Sequence, residues 1–221
     1  MTRTDPSPPL PRQLGRAAAL LALLLLGGCS ILPEVQHYTA YRLPPLQAEP
    51  KPPAASWTLR IAPPASSELL AGSRLPVRLE AHRMSVYSGA RWVAPLPELW
   101  QGHLVEAYRS DGRVAQVTDT PEPADADLVL HTTLRAFRVL TPETEPRARV
   151  AVDARLVAPR QQRLLGAERF RATAPAAGRD ADAVVAALGA AGNEVTRALI
   201  GWTLDTAPAG GEAPRAGDQQ P

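Results

Sequence analysis

The chain has 221 residues, 45% of them hydrophobic and 21% charged, with 24 prolines, 15 glycines and one cysteine. Its formal charge of +2 sits in residues 1–28, where Arg3, Arg12 and Arg16 outnumber Asp5; the rest balances 21 basic against 21 acidic side chains. A neutral body argues against a nucleic-acid binder, which needs a clustered cationic excess, and a single thiol excludes a disulfide framework within the chain.

Residues 1–16 are polar and end in the basic flanks Arg12 and Arg16; the apolar run Ala17–Leu26 then leads to Gly27, Gly28 and Cys29. About ten apolar residues fall short of the roughly 20 that a helix needs to cross a bilayer. A basic flank, a short apolar stretch and small residues read instead as a secretory leader over residues 1–28. Leu26-Gly27-Gly28-Cys29 also resembles the bacterial lipobox. That resemblance implies signal-peptidase recognition through Leu26, Gly27 and Gly28, cleavage before Cys29, and fatty acylation (palmitate among the chains) at Cys29. Ser30, where an aspartate favours inner-membrane retention in enteric-type sorting, resembles an outer-membrane address. The expectation is a lipoprotein held by acyl chains on the periplasmic side of the outer membrane; the alternative is an ordinary secretory leader with a coincidental cysteine.

Pro44–Ser56 contains five prolines, which block helix interiors and central strands. Residues 29–56 are therefore read as a lipidated N-terminus and an extended Pro-rich tether, or as a loop partly packed on the domain. The core is expected over 57–204. Trp57, Leu59 and Ile61 alternate with polar residues, as a half-buried strand does. Ser66–Gly72 reads as a helical turn; strand patterns resume at Val77–Ala81 and Met84–Tyr87, and Ser88-Gly89 signals a turn. Leu96, Trp100, Leu104 and Ala107/Tyr108 mark one helix face, with Pro97 tolerated in the first turn and Asp111-Gly112 at the end. Four strands follow, at Val114–Thr118, Leu128–Val139, Arg147–Val157 and Arg163–Thr173, the last three with loops of hairpin length between them. In the third, Ala148, Val150, Val152, Ala154 and Leu156 face one way and Arg147, Arg149, Asp153 and Arg155 the other. A final helix runs from about Asp180 to Trp202, with Val184, Leu188, Ala191, Val195, Leu199 and Trp202 as its stripe. Residues 205–221 lack bulky apolar side chains and read as a disordered tail. The fold class is α+β: a mostly antiparallel sheet with two main helices packed on one face.

Nothing in the residues points to catalysis. His37, His82, His103 and His131 share no metal-ligand spacing, and no nucleophile elbow or phosphate-cradling loop is present. No catalytic residue, metal or cofactor is assigned. Asp125 and Asp127 read as turn or strand-edge residues. Of the 24 basic residues 23 are arginines; on the wet face of one strand, Arg147, Arg149 and Arg155 are either an ordinary solvated face or a surface for an acidic partner or lipid head groups. Trp100 reads as core, and Trp92 as either core or an exposed anchor for a partner.

Cys29, Tyr38-x-x-Tyr41-Arg42-Leu43-Pro44, Leu69-Leu70-Ala71-Gly72 and the block Tyr87…Ala90-Arg91-Trp92-Val93-Ala94-Pro95-Leu96 together resemble the ABC-type transport auxiliary lipoprotein family, across most of residues 29–204. The chain departs from that pattern at Val93-Ala94, where a small-acidic pair is common. The resemblance implies a non-enzymatic accessory subunit, moving lipids or other hydrophobic molecules between inner and outer membranes with an ABC permease and ATPase and an MCE-domain protein. It implies partner binding around Arg91, Trp92, Pro95 and Leu96, and is compatible with ring-like self-association. Two other readings are an assembly lipoprotein of the LptE type serving an outer-membrane protein, and a periplasmic lipid-handling hydrolase. A fourth is a module that itself carries lipid.

Overall fold

A computed structural model describes residues 37–78, 84–120, 126–140 and 145–208. The segment expected as a leader, Cys29, His82 and Asp125 lie outside the described residues, as does the expected tail beyond residue 208. The unit from Tyr38 onward contains nine strands and three helices in the order β1 (Thr39–Tyr41), β2 (Ala55–Ile61), β3 (Ala65–Ser66), α1 (Glu68–Ala71), β4 (Arg74–Arg78), β5 (Met84–Trp92), α2 (Leu96–Asp111), β6 (Val114–Thr118), β7 (Leu128–Leu140), β8 (Arg147–Ala158), β9 (Arg163–Pro175) and α3 (Ala181–Thr206).

Strand β7 is the spine. Along one edge it pairs in succession with β2, β3 and β4, all parallel, and along the other with β8, which pairs with β9. β6 extends the sheet beyond β2, and β5 then β1 extend it beyond β4. The architecture is α+β, but the expectation of a mostly antiparallel sheet needs correction. Five of the eight strand pairings are parallel; the antiparallel ones are β4–β5 and the long ladders β7–β8 and β8–β9. Parallel neighbours need a crossover of a dozen or more residues. Between Ile61 and Leu128 the chain has room for one and uses it to return β7 beside β2.

A bulge keeps β7 in phase with its neighbours. Leu130, Thr132 and Leu134 face inward opposite Leu156, Ala154 and Val152; Arg135 is then skipped, and Phe137 and Val139 face inward opposite Val150 and Ala148. Without the extra residue the second half of β7 would turn its apolar side chains to water. The Ser88-Gly89 signal likewise proves to lie inside a strand: β5 continues to Trp92, and Gly89, at φ 68°, takes up an irregularity between the paired residues Val86 and Arg91.

Both long helices cover the inward face. In α2, Leu96, Trp100, Leu104, Ala107 and Tyr108 are buried, and Trp100 meets Phe137 edge-on at 6.0 Å between ring centres. The helix ends at Gly112, whose φ of 78° favours glycine; a Cβ there would also stand 2.7 Å from the Lys51 carbonyl oxygen. In α3, Asp180 caps the first turn by accepting the Ala183 N–H at 2.9 Å, and the helix runs two residues past the expected domain end at Leu204. Helix α3 is long and apolar enough to span a bilayer, but its stripe of Val184, Leu188, Ala191, Val195 and Leu199 is buried against β8 and β9. Trp202 is half-buried and packs edge-on against Phe170. A buried polar link joins the two helices: the Tyr108 hydroxyl meets Thr203 Oγ1 at 2.6 Å, while Thr203 donates to the Leu199 carbonyl.

Much of the Pro-rich run expected as a tether is packed on this unit. Leu46 is buried, Pro44 seats on Gly189 of α3, Asn193 Nδ2 donates to the Pro45 carbonyl at 3.3 Å, and the Lys51 N–H donates to the Asp111 carbonyl at 2.9 Å. Prolines cannot donate to a ladder, yet their rings and carbonyls still serve as surface for a helix to hold.

Candidate functional site

The two blocks that carried the family resemblance meet in space. Thr39, Ala40 and Tyr41 pair in parallel with Ala90, Arg91 and Trp92. The Tyr41 hydroxyl donates to Asp182 Oδ1 at 2.8 Å, and that hydrogen bond holds the phenol above its ordinary pKa. The Arg91 guanidinium lies 5.5 Å from the Tyr38 ring centre, within cation–π range.

This placement corrects the partner-binding expectation in part. Trp92 is 1% exposed and meets Phe137 edge-on at 5.9 Å, and Leu96 is fully buried at the start of α2. Neither presents a surface, and both belong to the core. Arg91 and Pro95 remain exposed, with Val93 between them. The Arg-Trp spacing misled because a strand alternates its faces, so adjacent residues of one motif serve different purposes.

The histidines are dispersed. His103 stacks on Trp100, and burial pushes its pKa down to about 4; among the described residues its Nε2 has no hydrogen-bond partner. His131 points to the outer face, its pKa lowered by partial burial and then by Arg155 and Arg60. Asp127 accepts the Thr58 N–H at 3.0 Å, the strand-edge role expected of it. No group of three or more His, Cys, Asp or Glu residues able to hold a metal occurs among the described residues.

The outer face of β7–β9 is where charge gathers. Arg138 stands directly opposite Arg149, Arg171 opposite Ala151, and Arg155 opposite His131 and Ala167. Asp153 is held by Arg135 at 2.6 Å and by Arg169 Nη2 at 3.0 Å; these guanidiniums, Arg169 foremost, pull its carboxylate pKa down to about 2. A shallow depression of about 510 Å³ on this face is lined by Arg135, Arg138, Arg149, Arg169, Arg171 and Thr173, among others. The neutral balance of residues 29–221 concealed this cluster, because strand pairing draws together arginines separated by up to 36 positions, from Arg135 to Arg171. A second, smaller groove of about 360 Å³, lined by Val77, Val86, Tyr87, Val139, Pro146 and Val184 among others, lies where the inward face runs out beside the start of α3.

With this geometry in place, comparison with known proteins is decisive for the family. The ABC-type transport auxiliary lipoprotein component family matches residues 41–199. The chain belongs to that family. The matched region includes the packed Pro-rich segment, α2 and α3 as far as residue 199. The chain is similar to a crystal structure of a Xanthomonas campestris protein of family model DUF330, with a TM-score of 0.69 and 30% identity over 76% of this chain and 96% of that one. A second similar structure, of an uncharacterized protein, shares the fold with a TM-score of 0.62 and 16% identity, covering 76% of this chain and 99% of that one. A lipoprotein of Neisseria meningitidis gives a TM-score of 0.36 and 13% identity, over 67% and 99% of the two chains. No curated protein matches the sequence. The auxiliary lipoprotein family is a component of transport machinery and not a class of enzymes.

Proposed function

We propose that the protein is an acyl-anchored accessory subunit of an ABC/MCE-type transport system that moves lipids or other hydrophobic molecules between the inner and outer membranes. Its place is the periplasmic face of the outer membrane, with Cys29 as the lipidated residue and Leu26, Gly27 and Gly28 as the processing signal. The family match over residues 41–199 carries this reading. The leader pattern ending in a lone cysteine agrees with it. Tyr38 lies nine positions beyond Cys29; at 3.3–3.6 Å per step the link reaches at most about 32 Å. A folded domain held so close to a bilayer meets its partners at high effective concentration, so a modest interface is enough. Arg91 and Pro95, beside the entry strand β1, are the exposed remainder of the expected docking block.

The test is an in-envelope crosslink and pull-down of the tagged chain. Recovery of a permease, its ATPase and an MCE-domain protein is expected. Recovery of a β-barrel protein in their place would give the function to an assembly lipoprotein instead.

A further inference from the structure

The outer face of β7–β9 contains seven outward-pointing arginines on three adjacent strands, with Asp153 as the one carboxylate among the outward positions of those strands. Asp153 is already engaged by Arg135 and Arg169. Arg147, Arg149, Arg155 and Arg171 are exposed and form no ion pair among the described residues. Arg149 stands directly across from Arg138, and like charges on opposed strand positions repel. A sheet needing only a solvated surface would mix signs here; residues 29–221 balance 21 basic against 21 acidic side chains as a whole, so the arginine excess is local to this face.

From this juxtaposition we infer that the face docks on the phosphate groups of anionic phospholipid. Guanidinium forks match phosphate oxygens two at a time, and the depression lined by Arg135, Arg149, Arg169 and Arg171 is concave on the scale of a head group. Aliphatic side chains of any length are scarce on the face around that depression, with Ala136 and Ala151 as its apolar members. Contact is therefore through head-group charge and not through insertion into the acyl region. The inference rests on the proposed anchor: a chain fixed at Cys29 keeps the domain within about 32 Å of head groups. A domain of this length is itself roughly 40 Å across. That proximity favours a lipid surface over an acidic protein, which would have to be delivered by a separate encounter. With both an acyl anchor and this face engaged, the domain would lie down on the membrane instead of swinging from its tether.

The experiment uses the mature chain, residues 29–221, with Cys29→Ser so that no acyl chain can form and failure of the anchor cannot be mistaken for failure of the face. Flotation is measured with vesicles of phosphatidylcholine alone and with vesicles containing about one-third phosphatidylglycerol. Association with the anionic vesicles only is expected, weakening steeply as salt rises. Arg149→Glu/Arg171→Glu should weaken it by roughly tenfold or more. Arg149→Gln/Arg171→Gln should give an intermediate loss, and neither variant should lower the melting temperature, since Arg149 stands opposite Arg138. Equal flotation with both vesicle types, or undiminished flotation of the charge-reversed variant, overturns the inference. So does binding of glycerol phosphate as tight as that of the vesicles, which would make the depression a small-anion site. Binding to polyglutamate without binding to anionic vesicles would assign the face to an acidic protein and overturn it as well.

Discussion

The two faces of strands β7–β9 are built from the same residues taken alternately, yet they obey different rules. Inward, Leu130, Phe137, Val150, Val152 and Ala172 are buried beneath α2 and α3, and each side chain is answered by an apolar neighbour. Outward, Arg138 faces Arg149 and a single aspartate serves two guanidiniums. The inward face explains why the chain folds, since apolar burial there contributes about 25 cal/mol for each Å² removed from water. The outward face contributes little to folding, because exposed ion pairs are typically worth less than about 1 kcal/mol. Residues that do not stabilise the fold, and in part oppose it, are the ones to examine for interaction.

That contrast can be broken most forcibly at Trp92. Trp92→Ala should destabilise the domain by about 3–5 kcal/mol, seen as a large drop in melting temperature, because the ring fills the space beside Phe137. Trp92→Phe should cost much less, since the indole N–H has no hydrogen-bond partner among the described residues. A Trp92→Ala protein with unchanged stability and lost partner recovery would return this residue to the surface.

Next in size is the inward face's response to acid. His103 has a folded pKa of about 4 against an ordinary 6.5, because burial disfavours the charged ring. The unfolded chain therefore binds the extra proton first: stability is fully present above pH 6.5 and is lost as pH falls from there through about 4, by up to about 3 kcal/mol. Chemical denaturation at a series of pH values checks this, and His103→Leu should flatten the curve across that window. Smaller again is Gly189→Ala. The new methyl would stand 2.4 Å from Pro44, so the Pro-rich segment must shift off α3. A loss of about 1–3 kcal/mol and faster proteolysis within residues 44–56 are expected. On the outward face, Asp153→Asn should change stability by less than about 1 kcal/mol at neutral pH. Its low folded pKa means that whatever Asp153 contributes is lost only as pH drops from about 4 through about 2.

Periodicity revealed most of the elements and little of their arrangement. The stripes of α2 and α3 and the alternation in β8 fall where they were expected, because each depends on neighbours within a few residues in the chain. The pairing of β2, β3 and β4 along one edge of β7 depends on contacts across more than 60 residues, and nothing local encodes it. The short strands β1 and β3 were missed for a related reason: two or three residues show no period. In the candidate site, Arg147, Arg149 and Arg155 were legible as a wet face, but their neighbours Arg135, Arg169 and Arg171 joined them only through strand register. Arg91 and Trp92 were legible as a block, and the burial of one beside the exposure of the other follows from the alternation of faces along β5.

The central claim is that this domain works as a fixture of a membrane, and the mass of its own N-terminus tests that most directly. Protein recovered from the native envelope should begin at residue 29, with acyl chains on both the sulfur and the new amine of that cysteine. An intact leader, or a free thiol on a chain found in the soluble fraction, would contradict the account.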